Sequence, residues 1–228
     1  MTNQLLSLLQ ICDSNFPSGA FSHSFGLETY IYEQKIHDPK TFTHALGTYV
    51  KTQLTYTDGL ACRLVYEYMQ HDCTEKLWEL DVVLSSLSLA KETREGNRRI
   101  GERMVKLCNQ LYDCPILMEY EQFIRRKELS GHAAIAFMLI CNELGIHWEK
   151  AIAAYLYAAV QSLVQNAVRA IPLGQTDGQR LLVSMHPLVQ ETVEMIRHAS
   201  EGELGMNAPG LEIAQMRHEQ LPVRLFMS

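Results

Sequence analysis

The chain has 228 residues, with 20 basic and 26 acidic side chains giving a formal charge of −6, and 47% hydrophobic against 20% charged content. That balance excludes a disordered chain and a polybasic tail, and the net negative charge argues against general nucleic-acid binding, which needs cations to displace counterions from phosphates. A chain of this size hides about 70–75% of the surface its unfolded form exposes, enough for one core without disulfide or metal staples, so one domain is expected.

Apolar residues recur at intervals of three and four rather than two, which predicts an all-α multi-helix bundle. The first helix carries Leu5, Leu6, Leu8, Leu9 and Cys12, breaks at Asp13–Gly19, where turn formers cluster around Pro17, and resumes near Ala20 or Phe21. Asp38-Pro39 starts a helix carrying Phe42, Leu46, Tyr49 and Val50, because Asp caps free N–H groups and proline at the first helical position loses nothing. Asp58-Gly59 reads as a turn before a helix with Leu60, Leu64 and Tyr68; Thr74 caps the next, and Arg94–Leu111 forms a highly charged one. Ser130 is the expected cap of a helix through Ile140, Gly145 its left-handed stop, and Trp148–Val168 the wide-striped helix expected at the centre. Pro172 and Gly174 end it, Asp177 restarts a helix, and Pro187 restarts it again toward Ser200. A helical core over residues 1–200, a flexible connector at Glu201–Gly210 and an amphipathic C-terminal arm at 211–228 are the expected divisions.

No basic-start, apolar-middle leader opens the sequence, and the longest apolar runs, Ala133–Cys141 and Ala151–Val160, fall short of the ~18–20 residues that span a bilayer. The six cysteines, Cys12, Cys62, Cys73, Cys108, Cys114 and Cys141, are scattered through apolar stretches. A cytoplasmic protein with reduced thiols and no membrane contact is expected.

Enzymatic signatures are missing. Gly174–Gly178 is followed by Gln179-Arg180 rather than by the Lys-Ser/Thr of a phosphate loop, and Ser24 has Gly26 on one side but Ser22 where a nucleophile elbow has its other glycine. Asp13, His23 and Ser24 form a triad only if the fold assembles them. His218-Glu219 has no second histidine four positions on, as a zinc-peptidase helix needs, and His71-Asp72-Cys73 is more simply an exposed turn than a metal site. Lys91–Lys106 carries more cations than carboxylates; Glu95 to Arg99 and Glu102 to Lys106 fall at ion-pair spacing, which suits a solvated face, and docking to an acidic partner is the alternative.

Three stretches stand apart. DSNFPSGAFSHSFGLE presents hydroxyls, His23 and Glu28 beside three phenylalanines, either as a capped turn or as a contact surface. RAIPLGQTDGQ places Arg169, Gln175, Asp177 and Gln179, followed by Arg180, around a constrained turn suited to directed hydrogen bonds or simply to capping. The terminal LEIAQMRHEQLPVRLFMS mixes apolar residues with Arg217, His218, Glu219 and Arg224, and an exposed Leu225-Phe226 there needs cover.

These segments together resemble the UreF family of urease accessory proteins. The resemblance rests on DSNFPSGAFSHSFGLE, the Arg94-Glu95 helix with Gly101, YLYAAVQSLVQNAVRAIPLGQTDGQRLL and MRHEQLPVRLFMS, in the family's order and spacing, while Tyr66–Trp78 and Leu111–Glu128 add little. It implies an all-helical, dimerising protein, not itself the enzyme, that joins UreD (also called UreH) and the GTPase UreG in a complex loading nickel, with lysine carbamylation, into apo-urease. It implies no resident cofactor, nickel passing through the assembled complex, and no catalytic or metal-ligating residue of its own. By the same resemblance Glu28 matches a position that lines a passage or contacts the GTPase, and His23 shares its block. Arg169 matches a basic position that influences UreG, with Gln175, Asp177, Gln179 and Arg180 following it. Arg217, His218, Glu219, Arg224 and Phe226 belong to an arm that binds UreD. Two alternatives stand beside it: a helical metal-dependent hydrolase using His71, Cys73 and a distant histidine, and a direct regulator of GTP turnover with Arg169 as an arginine finger. That arginine could equally bridge carbonyls or a carboxylate within the fold.

Overall fold

The computed structural model describes Thr2–Ser228, and regular structure over those residues is helical, as the spacing predicts. The α-helices are α1 (Thr2–Cys12), α2 (Leu27–Tyr32), α3 (Pro39–Tyr49), α4 (Leu60–Gln70), α5 (Thr74–Leu87), α6 (Lys91–Leu111), α7 (Pro115–Arg125), α8 (Ala133–Glu143), α9 (Trp148–Ala170), α10 (Gln175–His198) and α11 (Pro209–His218). Short 3-10 turns occupy Ala20–Ser22 and Glu201–Glu203, and a π-helical segment fills Val50–Gly59.

A helix without a polar face has to be enclosed. Ala133 to Cys141 are all buried, and α8 packs against α4, α6, α7 and α9. α9, expected at the centre, does run against α1, α3, α4, α8, α10 and the π segment, but it keeps a partly exposed face while α8 has none. It is also, among the described residues, the helix long and apolar enough to cross a membrane, and its apolar stripe is taken up by those helical neighbours. Two features let α8 sit so deep. At Gly101 a Cβ would stand 2.8 Å from the Ala133 nitrogen and closer still to the Gly131 carbonyl, so only glycine lets α6 approach. Asp81 of α5, completely buried, accepts the N–H groups of Ser130 (2.6 Å), Gly131 (3.0 Å) and His132 (3.0 Å) and the Tyr120 hydroxyl of α7. The cap of α8 is therefore not Ser130: His132 Nδ1 accepts the Ala134 N–H, and Asp81 takes the donors before it.

Two expected breaks are absent. Asp58-Gly59 does not interrupt the chain; α3, the π segment and α4 run on without a gap, and Gly59 keeps ordinary helical angles of −64° and −49°. Its missing side chain makes room for Ile196, whose Cγ1 would lie 3.2 Å from a Cβ. Pro187 sits inside α10 on an exposed face with Val183 and His186, so the bond it forfeits to the Val183 carbonyl is lost on the solvent side of the helix. Thr74 is the first residue of α5 rather than its cap, which is Cys73. Asp38 does cap α3, exchanging bonds with Thr41, and Gly145 takes the left-handed φ of 65°.

The extra width of the π segment, a geometry that recurs at functional sites, turns two polar residues inward. Tyr155 donates to Asp58 at 2.6 Å, and Gln215 of α11 donates to Gln53 at 2.7 Å. Beside them lies a cavity of about 190 Å³ bordered by Cys12, Phe16, Tyr49, Asp58, His132 and Tyr155. Residues 201–210 open with the 3-10 turn Glu201–Glu203, capped by Ser200 and Glu203, and the Gly205 N–H bonds the Tyr56 carbonyl at 2.8 Å. α11 then packs on α2 and α6, so residues 211–228 lie against the body.

Candidate partner-binding site

The loop after α1 brings its polar residues to the tail because two consecutive residues, Phe25 (φ 50°) and Gly26 (φ 86°), take left-handed backbone just before α2. Glycine is required at the second: a Cβ there would meet Gln215 Cγ at 2.8 Å. Ser24 then accepts the Glu28 N–H through its hydroxyl at 3.3 Å, supporting the start of α2, and donates that hydroxyl to the Ser228 carbonyl at 2.6 Å. The Ser24 and Phe25 N–H groups bond the same oxygen, the Met227 N–H bonds the Ser22 carbonyl, and His23 Nδ1 faces the Ser228 hydroxyl at 2.8 Å. His23, Ser24 and Ser228 are all buried. Gly96 of α6 leaves room for the imidazole, since a Cβ there would meet the His23 ring at 2.6 Å.

Glu28 organises the next step. Its carboxylate accepts the Leu225 N–H (2.6 Å) and the Phe226 N–H (3.2 Å) and meets His218 Nε2 at 2.8 Å. The other ring nitrogen of His218 meets Glu92 of α6 at 2.6 Å, and Arg224 donates to the second oxygen of Glu92 at 2.6 Å. Burial disfavours the charged form of Glu28, yet the bonds from His218, Leu225 and Phe226 outweigh it and hold the carboxyl below its ordinary value. Burial likewise works against a charged His218, and the flanking Glu28 and Glu92 carboxylates outweigh it and raise its pKa. His23 is shifted the opposite way, to about 4, by burial and then by the Arg99 and Arg103 cations, so it is neutral.

Arg169, the last basic residue of α9, joins this knot from a third side. Its guanidinium donates to Asn166 Oδ1 at 2.8 Å and lies 5.1 Å from the centre of the Phe226 ring, while Asn166 donates to the His23 carbonyl at 2.9 Å. His23, Glu28, Arg169, His218, Arg224 and Phe226, drawn from segments far apart in the chain, thus form one cluster. Gln175, Asp177, Gln179 and Arg180 are placed elsewhere, exposed on the first turns of α10, where Arg180 pairs with Asp177 at 2.8 Å. Arg217 is exposed and pairs with Glu33 at 3.3 Å; Glu219, also exposed, closes α11. Phe226, which the sequence left in need of cover, is buried, while Val223, Leu225 and Met227 alternate with it along the tail and stay open at 74%, 64% and 49%.

Some pairings differ from those the spacing suggested. Glu102 pairs with Arg98 rather than Lys106, whereas Glu95 does pair with Arg99. The Asp13 carboxylate is taken up by Asn15 instead of joining His23 and Ser24. Cys73 Sγ faces the His71 carbonyl in an inter-helix turn, and among the described residues no three His, Cys, Asp or Glu side chains are placed to hold a metal ion. Glu92, Asn166, Gln215 and Ser228 were not singled out by sequence. Asn166 and Ser228 carried a signal, each lying within one of the four blocks, Asn166 three residues before Arg169; Glu92 reads as one carboxylate of a solvated helix.

Comparison with known proteins identifies the family. The UreF family model matches residues 36–186, between the N-terminal loop and the tail. A urease accessory protein UreF of Geobacillus kaustophilus (strain HTA426) is 56% identical over 225 residues, covering 99% of this chain and 98% of the relative. That of Bacillus sp. (strain TB-90) is 55% identical over 226 residues, covering 99% and 100%. That of Lachnoclostridium phytofermentans is 48% identical over 228 residues, covering all of both chains. With the family model spanning well over half the sequence and the relatives aligned from the loop through the tail, the chain belongs to the UreF family of urease accessory proteins.

Proposed function

We propose that this chain is an adaptor in urease maturation: it grips UreD (UreH) through the tail, grips the GTPase UreG through Arg169 and the start of α10, and couples the two to nickel insertion into apo-urease. In this reading it acts in the cytoplasm as a homodimer, makes and breaks no bonds itself, and handles nickel as cargo of the assembly without a cofactor of its own. The observation that carries the reading is the junction of the two surfaces at one contact. Arg169 stacks on Phe226, so a partner that moves the tail also moves the arginine beside the α10 face. Coupling of nucleotide state to delivery requires that the chain bind the GTPase differently in its different states.

The exposed row Val223, Leu225 and Met227 supplies an apolar stripe backed by a buried, hydrogen-bonded edge, which suits a protein partner. Carboxylates placed on that row test the assignment. Val223→Glu with Leu225→Glu should abolish co-purification of untagged UreD with the tagged chain while the circular dichroism spectrum stays that of the wild type. Retention of UreD by the folded variant would overturn the tail assignment.

The reading of the chain as a regulator of GTP turnover draws on the same contact. Held by Asn166 and Phe226, the Arg169 guanidinium reaches a nucleotide only by leaving both, so a partner-induced release of the tail would be its trigger.

A further inference from the structure

His218 has both ring nitrogens within hydrogen-bond distance of carboxylate oxygens, Glu28 at 2.8 Å and Glu92 at 2.6 Å. A neutral imidazole has one N–H and one lone pair and satisfies only one ionised carboxylate; with both carboxylates ionised the geometry demands the doubly protonated ring. It is completely shielded from solvent, and the side chains of Glu28 and Glu92 are 8% and 21% exposed. The same carboxylates hold the tail directly: Glu28 takes the N–H groups of Leu225 and Phe226, and Glu92 takes Arg224.

We propose that the segment after α11, Glu219–Ser228, is a latch held shut by the His218 imidazolium between Glu28 and Glu92, and that loss of the His218 proton opens it while the helical body stays folded. Without the proton, one carboxylate faces a lone pair at hydrogen-bond distance, and the two carboxylates, no longer bridged by a cation, repel across the ring. The other contacts of the segment, Met227 to Ser22, Ser228 to His23, Ser24 and Phe25, and the Phe226 ring to Arg169, lie at the far end of the tail and are not attached to that charge.

The charged and titratable groups facing His218 come from each element around it. Glu28 stands on α2 and Glu92 on α6; Arg224 of the tail reaches it through Glu92, and His23 of the N-terminal loop lies beside it with Arg99 and Arg103 of α6 beyond. His23, shifted to about 4, is uncharged across the neutral and alkaline range, and the arginines keep their charge. His218 is then the group that changes. Its pKa is raised in the closed form, so its contribution is complete below the ordinary histidine value of 6.5 and is lost as pH climbs through the raised value. Glu28, with a lowered pKa, contributes above its ordinary 4.5 and fails only in acid. The latch is therefore tightest between those limits.

The test uses the full-length protein and hydrogen exchange of the Glu219–Ser228 amides, corrected for intrinsic exchange, from pH 6 to 9.5, with the imidazole followed by NMR. Protection of the tail should fall above pH 6.5 by up to about tenfold per unit and then level off, in step with the His218 titration, while α8 and α9 amides keep theirs. Glu92→Gln, which removes one carboxylate but not the side-chain bulk, should move the transition to lower pH; His218→Gln should leave the tail unprotected throughout. A tail whose protection does not change with pH, or a loss shared equally by α8, would overturn the proposal, as would an Glu92→Gln transition at the wild-type pH.

Discussion

Asp81 shows how much one side chain carries in a fold without disulfides. Four donors converge on it, three of them backbone N–H groups ahead of α8, where the positive end of the helix dipole also favours an anion. Asp81→Ala strips the buried Gly131 N–H and Tyr120 hydroxyl of their acceptor, leaving the His132 N–H only its bond to the Tyr120 oxygen, and we expect it to lower the free energy of unfolding by about 3–5 kcal/mol in a urea titration. A loss under about 1 kcal/mol would show that water replaces the carboxylate at no cost. Asp81→Asn keeps one acceptor oxygen and should lose less. His218 is the counterpart at the surface of the bundle: there the buried charge is shared by three groups, and its removal is expected to free a tail rather than unfold a core.

Between elements, the decisive feature is how closely helices approach. Gly101→Ala would push α6 away from the Gly131 carbonyl and Ala133 and should destabilise by about 1–3 kcal/mol, the range of overpacked positions. Gly47, in mid-α3, has nothing within 4 Å of a Cβ, so Gly47→Ala should stabilise by about 0.5–1 kcal/mol, measured in the same titrations. Two glycines, both helical, thus respond with opposite sign, and a helix-propensity argument alone would give them the same one. The same limit explains which elements could be read from sequence. The apolar run of α8, the Asp38-Pro39 start and the Gly145 stop are local signals whose causes lie within a few residues. Asp58-Gly59 and Pro187 carry turn signals that the fold overrides, because Ile196 needs the space at Gly59 and Pro187 lies on the solvent face of α10. The site was legible in the same partial way. Its blocks stood out by composition, but the bonds that join them, such as His218 to Glu92 across 126 positions and Leu225 to Glu28 across 197, leave no mark in any short window.

At the scale of the molecule, a wholly helical body encloses one apolar helix and folds its last segment back onto its first loop, so that this loop, the start of α6, the end of α9 and the tail meet in one cluster. Such a design suits a protein that works by being held, since the conformation of the tail is set by contacts that a partner can replace. The most direct test of this account is bridging itself: tagged UreD is used to recover untagged UreG with and without the full-length chain. Recovery of UreG that depends on the chain, and is lost with Val223→Glu and Leu225→Glu, is the expected result; equal recovery of UreG in its absence would contradict the account.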